Sequence, residues 1–303
     1  MCDETVTVCI PAYNAEKYIR TTIESILDQT YKNIKVIVCD NASSDNTKGV
    51  VESISDERIE YRRFKEYLDV NYSMVRSIKQ GETDLICMFH ADDWYYPTII
   101  EDYIRYIRNI KGVGAVFSKT HSIISGDITN MKENQPHMLR VYDYEKYLNA
   151  AMLKGTIFHA PTMMIRRDIA QRAFSKDVEY ISDMNIWLQI LKKTLVLDIQ
   201  DTYCNHREGS KLAQNLTKRM TVGPQFIVID SELNSNKKSI NKINYIKYNV
   251  RKRKELIGVI RNRIRNKMSI KSYVVCCLGI KRLGAKYLEG NLDNYKNILY
   301  GKL

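Results

Sequence analysis

Residues 85–97 read LICMFHADDWYYP. The first five are an unbroken apolar run, short enough for a buried strand. The run stops at His90, Ala91, Asp92 and Asp93. Two adjacent carboxylates at a strand end do not both ionise easily without a cation nearby. Mg2+ and Mn2+ take oxygen ligands, commonly one or two carboxylates plus substrate phosphates. The pattern points to a metal bridging the protein to a diphosphate. The alternative is helix capping, with the Asp side chains accepting from free N–H groups at the start of a helix over 97–108.

Upstream the same arrangement recurs. Residues 6–10 (VTVCI) form a β-branched run that ends at Pro11. Residues 18–29 place Ile19, Ile23, Ile26 and Leu27 at helical spacing. A second buried strand, 35–39 (KVIVC), is closed by Asp40. NASSDNT, 41–47, is turn and cap chemistry and opens a helix over 49–54. A strand follows at 59–62, then a helix at 72–80 with Gly81 as its expected C-terminal cap. Strands alternating with helices predict a mostly parallel α/β sheet flanked by helices. Ligands of such sheets bind beyond the carboxyl ends of the strands. Three strand ends carry polar clusters, at 11–14, 40–46 and 90–93.

Downstream, strands are expected at 114–119, 163–166 and 195–199, and helices at 143–153 and 183–191. Residues 122–136 read as a polar loop. Asp183 opens the helix bearing Ile186, Trp187, Ile190 and Leu191. It is either a cap or a general base that takes a proton from a hydroxyl. His206, in TYCNHREGS, is either structural or part of the site. Tyr13 either stacks on a flat base or covers the sheet edge.

The 303-residue chain is 44% hydrophobic, which excludes a disordered protein. No apolar run approaches the ~18–20 residues of a membrane span. The start, MCDETVTVCIPAYN, has no apolar signal core, so no secretory leader is expected. Seven Cys with no CxxC argue against a disulfide framework or zinc ribbon and for a reducing compartment, the cytoplasm. Cys9, Cys39 and Cys87 lie inside apolar runs and read as core.

Charge divides the chain. Residues 211–303 hold 21 basic and 5 acidic residues, a net +16, leaving −4 for residues 1–210. The α/β alternation fades after 210, so the expected division is 1–215 and a basic helical region, 216–303. Residues 236–268 interleave twelve Lys and Arg with Ile240, Ile243, Ile246, Val250, Leu256, Ile260 and Ile264. Such a helix can lie on an anionic membrane surface. The rivals are a stripe packed on the protein's own body and a homodimer contact.

Five segments, IPAYNAEKYI, QTYKNIKVIVCDNASSDNT, LICMFHADDWYYP, SDMNIWLQIL and YCNHREGS, come in an order that resembles family 2 glycosyltransferases of the GT-A fold. The resemblance covers about residues 5–210. It implies that Pro11, Ala12, Tyr13 and Asn14 wrap a nucleotide base, with the ring near uracil. Asp40 would contact the base or ribose, and Arg76 the diphosphate. The DxD-type motif matches His90-Ala91-Asp92, with His90 in place of the first acid. Ala91 and Asp92 would then line the nucleotide, and Asp92 would hold Mn2+ or Mg2+ with Asp93 and His206. Ser182-Asp183 matches the pair that marks the base; the usual Glu is absent and the Asp is kept. The implied reaction is inverting transfer of a hexosyl or N-acetylhexosaminyl group. The implied donor is a nucleotide sugar, UDP-linked, and the implied acceptor a glycan or lipid-linked hydroxyl, as in cell-surface polysaccharide assembly. The implied location is the cytoplasm or the inner face of its membrane.

Two other classes fit less well. A nucleotidyltransferase acting on a sugar phosphate would want a Gly-rich phosphate loop early in the chain, yet residues 5–30 contain no Gly. A nucleic-acid-binding protein would want an RNP-like aromatic pattern or zinc motif in the basic region, and neither occurs.

Overall fold

The computed structural model describes residues 4–124, 127–129, 138–175, 182–208, 224–235, 241, 243–252 and 254. The expected stripe residues Ile240, Leu256, Ile260 and Ile264 lie outside the described residues. Two compact units result, Met1–Tyr144 with Phe158–Gly209, and Glu145–Ile157 with Ser210–Leu303.

In the first unit, β1 (Val6–Ala12), β2 (Ile34–Asp40), β3 (Ile59–Arg63) and β4 (Leu85–Met88) pair in parallel. Successive residues of β1 are buried, including Val6, Val8, Cys9 and Ile10. Both faces of the strand are therefore covered, which is why it reads as one apolar run rather than an alternation. Helices α1 (Ile19–Leu27), α2 (Thr47–Glu52) and α3 (Val70–Ile78) make the crossovers. The chain continues through β5 (Trp94–Tyr95), α4 (Ile99–Asn109), β6 (Val113–Ile123), β7 (Leu139–Tyr142) and α5 (Tyr144–Lys154). A short 3-10 turn (Ala160–Thr162), β8 (Met163–Arg166), α6 (Arg167–Ala173), α7 (Asp183–Leu191) and β9 (Leu195–Arg207) follow.

Among the described residues, nine strands form one mixed sheet in the order β3-β2-β1-β4-β8-β6-β9-β5, with β7 on β9. β8 runs antiparallel between β4 and β6, and β9 returns to parallel beside β6. The chain leaves β1 toward β2 and β3, then comes back to β4 on the other side of β1. The ends of β1 and β4 therefore flank a point where the winding reverses, the usual ligand crevice of such sheets.

Some expectations change. Gly81 does not cap α3 in the left-handed region, since the glycines with positive φ among the described residues are Gly112 and Gly155. Its constraint is space, because a Cβ there would sit 2.4 Å from Cδ1 of Ile86 on β4. The strand expected at 195–199 runs on to Arg207. Its polar half stays extended because partners in the fold take its side chains: Tyr203 Oη donates to Asp102 at 2.7 Å, and Asn205 Nδ2 to the Ile128 carbonyl at 2.7 Å. The strand expected at 114–119 likewise extends to Ile123.

The second unit contains α5, α8 (Pro224–Ser235) and a helix, α9, over 243–252. Residues 145–157, which the sequence reading placed in the first region, group here. One reason is local: Arg251 donates to the carbonyls of Ala151 and Met152 at 3.2 and 3.3 Å, near the C-terminal end of α5. No helix among the described residues is long and apolar enough to cross a membrane.

Candidate active site

The three polar strand ends meet as the register requires. Ala12 of β1 pairs with Asp40 of β2, and Cys9 of β1 with Met88 of β4. The loops after β1 and β2 are fastened to each other by side chains. Ser43 Oγ accepts from the Asn14 N–H at 2.9 Å, Thr47 Oγ1 from Ala15 at 2.8 Å, and Asp45 from Glu16 at 3.0 Å. The capping residues of 41–47 thus serve two loops. Asn14 and Ala42 both adopt positive φ, 50° and 64°. For Ala42 this is a strained conformation, of a kind that collects at functional sites.

Helix α1 clamps the acidic turn. Thr22 Oγ1 lies 3.0 Å from the Ala91 carbonyl and 2.7 Å from that of Asp93. Ser25 Oγ accepts from the Tyr95 N–H at 3.2 Å, and Gln29 Nε2 donates to the Tyr96 carbonyl at 2.9 Å. All three side chains are buried. Thr22 and Ser25 share one helix face and Gln29 follows just past the end of α1, so these polar side chains together hold residues 91–96 in place. The Tyr95 ring stacks on Phe89 at 4.1 Å, and its hydroxyl accepts from the His90 N–H at 2.7 Å.

Helix capping does not account for the acidic pair. α4 starts at Ile99 behind Thr98, and the acids in its first turn are Glu101 and Asp102. Instead, His90, Asp92 and Asp93 bring potential ligand atoms within 4.8 Å of one another. Asp93 is fully buried. Its carboxylate accepts from His206 Nδ1 at 2.9 Å and from the Arg207 N–H at 3.0 Å, both from the end of β9. The bond to Asp93 raises the pKa of His206. His90 is the reverse case: burial pushes its pKa down to about 4, and its Nε2 is buried with no hydrogen-bond partner. A neutral imidazole whose Nδ1 lies 3.8 Å from an Asp93 oxygen, together with the two carboxylates, is a donor set that fits a divalent cation. His206, expected among the ligands, directs Nδ1 to the Asp93 carboxylate and so positions it.

On the nucleotide side, Asp40 is buried and engaged by the protein. Oδ1 accepts from the backbone N–H and hydroxyl of Ser43, and Oδ2 from Tyr61 at 2.6 Å. Arg76 donates to Asn41 Oδ1 at 2.5 Å and to the Glu66 carbonyl at 3.0 Å, and lies 3.9 Å over the Phe64 ring. Its Nε is buried without a partner. Arg76 therefore sits at the end of β2. Asn41 pairs both ways with the Leu68 backbone, at 2.8 and 2.9 Å. That loop brings Tyr67 within 4.9 Å of the Tyr13 ring. Asn41 and Tyr67 were not singled out from sequence; a polar residue just past a strand end was the available signal for Asn41.

Asp183 is the first residue of α7, and its Oδ1 accepts from the Met184 N–H at 2.8 Å. Burial raises its pKa. Trp187 of the same helix packs edge-on against Phe117 of β6 at 4.8 Å. A short turn at 192–194 joins α7 to β9, so the helix runs back along the sheet. Its first residue then lies toward the end of the sheet that carries His206. His159, also missed, accepts from or donates to Thr120 Oγ1 at 2.7 Å through Nδ1. Burial, with Lys119 and His206 nearby, pushes its pKa down to about 4. Thr120 and Ser122 pair with Cys204 and His206, so His159 is held on the sheet face that carries His206.

Residues 7–174 match the model of glycosyl transferase family 2. An uncharacterised glycosyltransferase of Rickettsia typhi is 26% identical over 63% of this chain, and the match spans 60% of that relative's length. The Escherichia coli enzyme WfaP, a UDP-Glc:alpha-D-GlcNAc-diphosphoundecaprenol beta-1,3-glucosyltransferase, is 28% identical over 68% of this chain and 79% of its own. Among solved structures, S. aureus TarS 1-349 in complex with UDP-GlcNAc matches 99% of this chain and 91% of its own at a TM-score of 0.55 and 14% identity. The mannosyltransferase PcManGT of Pyrobaculum calidifontis, in complex with GDP-Man and Mn2+, matches 97% and 83% at 0.58 and 15%. These two likenesses establish the fold, which is the GT-A architecture expected from sequence. With more than half of its length under the family model, the chain belongs to glycosyl transferase family 2.

Proposed function

We propose that the chain transfers a sugar from a nucleoside-diphosphate donor, UDP-linked, to a hydroxyl of a glycan or lipid-linked acceptor, with inversion at the anomeric carbon. The observation that carries this reading is the His90, Asp92 and Asp93 cluster at the reversal of winding between β1 and β4. In this reading Asp92 and Asp93, with His90 beside them, hold Mn2+ or Mg2+. A divalent cation there would supply charge neutralisation for the leaving diphosphate. The work of the chain's own residues is positional. Thr22 and His206 fix the acidic turn. Tyr13 and Tyr67 offer ring faces to the base, with Pro11, Ala12, Asn14 and Ala91 around it. Asp40 and Arg76 shape the end of β2. Asp183 accepts the acceptor hydroxyl proton as its oxygen attacks the anomeric carbon. The bond from that carbon to the diphosphate breaks, and the nucleoside diphosphate leaves with the electron pair. One in-line attack inverts the centre, so one base suffices. Residues 1–215 carry this chemistry in our reading, and 216–303 form an accessory region. The WfaP name, with its diphosphoundecaprenol acceptor, supports a lipid-linked acceptor.

Asp183→Asn tests the assignment. Turnover should fall by ~100-fold or more, the usual range for loss of a general base, with nucleotide affinity near wild type. Affinity collapsing together with rate would make Asp183 a structural cap. Uridine diphosphate should also bind more tightly than guanosine or adenosine diphosphate in a competition assay. A better guanosine form would contradict the UDP assignment.

A further inference from the structure

Helix α9 turns its apolar stripe outward. Ile243, Ile246 and Val250 share one face by helical spacing. They are 63%, 63% and 50% exposed. Tyr248, on the opposite face, is fully buried. The inward face is fixed by polar contacts within the same unit. Asn244 Nδ2 donates to Asn149 Oδ1 at 3.1 Å, and Tyr248 Oη to Asp230 at 2.7 Å. Lys252 pairs with the same Asp230, and Arg251 donates to the end of α5. A helix on a globular body ordinarily does the opposite, turning its apolar stripe to the core.

The outward face is also cationic. Lys247 and Lys254 are exposed on the same arc, and residues 243–254 contain no acid. Tyr245, 46% exposed, adds an amphipathic ring of the kind enriched at membrane interfaces. An apolar stripe rimmed by cations matches an apolar phase bounded by negative charge. Nucleic acid presents the charge without the apolar phase. A second copy presents the apolar stripe without the opposite charge. We propose that this face docks on an anionic lipid bilayer, with Ile243, Ile246 and Val250 entering the acyl boundary and Lys247 and Lys254 meeting the headgroups.

Vesicle co-sedimentation of the full chain tests this without any sugar donor, so it stands or falls separately from the catalytic reading. The wild type should sediment with vesicles of phosphatidylcholine and phosphatidylglycerol, less so at high salt, and not with phosphatidylcholine alone. Ile246→Glu with Val250→Glu, both exposed positions, should lower the partition coefficient tenfold or more while the thermal melting temperature is kept. Absence of wild-type binding to anionic vesicles, equal binding to neutral ones, or equal binding of the double variant each overturns the proposal. So does a wild-type dimer in light scattering that the double variant dissociates without any vesicle binding, which would assign the stripe to a second copy.

Discussion

Asp183 combines two features that a general base needs and a simple cap does not. Its carboxyl is raised by burial, and it stands at the start of a helix that runs back toward the end of the sheet carrying His206. A raised pKa makes the carboxylate a better proton acceptor near neutral pH. The base works deprotonated, so activity is lost as pH falls through the raised value. The acid limb of kcat/KM should therefore lie above the ~3.9 of an ordinary Asp. A rate profile from about pH 4 to 8 checks this. A limb at the ordinary carboxylate value would remove Asp183 as the rate-governing base. The acids were legible in sequence because each ends an apolar run or begins a helical stripe. The surroundings of His90 and His159 were not, since a lone His carries no spacing signal. Only the fold shows that His90 has a buried, unpartnered Nε2 and an Nδ1 3.8 Å from an Asp93 oxygen.

Among the elements, α1 illustrates what periodicity conceals. Ile19, Ile23 and Ile26 announced the helix, and they are buried. The side chains that bind the turn over 91–96 are the polar Thr22 and Ser25, with Gln29 just past the helix end. Polar residues at helical spacing read as a solvent face until their partners are known. Thr22→Val keeps the shape but removes the hydroxyl held by two buried carbonyls. Stability should fall by about 1–3 kcal/mol, the cost of leaving a buried polar group unsatisfied. Thermal melting measures that term. Metal affinity should weaken too, because the turn bearing Asp92 and Asp93 loses its anchor. Unchanged metal affinity in titration calorimetry would show that α1 does not position the acids. Strands β1, β2 and β4 were legible because burial on both faces leaves only apolar residues. β5, two residues long, and the polar half of β9 were not, since partners in the fold rather than local propensity keep them extended.

At the scale of the molecule, a near-neutral catalytic body and a strongly basic C-terminal region were evident from charge alone. The grouping of residues 145–157 with that region was not, because it depends on side chains far apart in sequence, such as Arg251 and the end of α5. The central claim is that the acidic cluster enables donor cleavage. The most direct measurement is nucleoside diphosphate release from a panel of nucleotide sugars, by the full chain, with and without Mn2+ or Mg2+. We expect release from a uridine donor that stops on chelation, returns with added metal, and is lost in Asp92→Asn. Undiminished release after chelation, or full release by Asp92→Asn, would contradict the account.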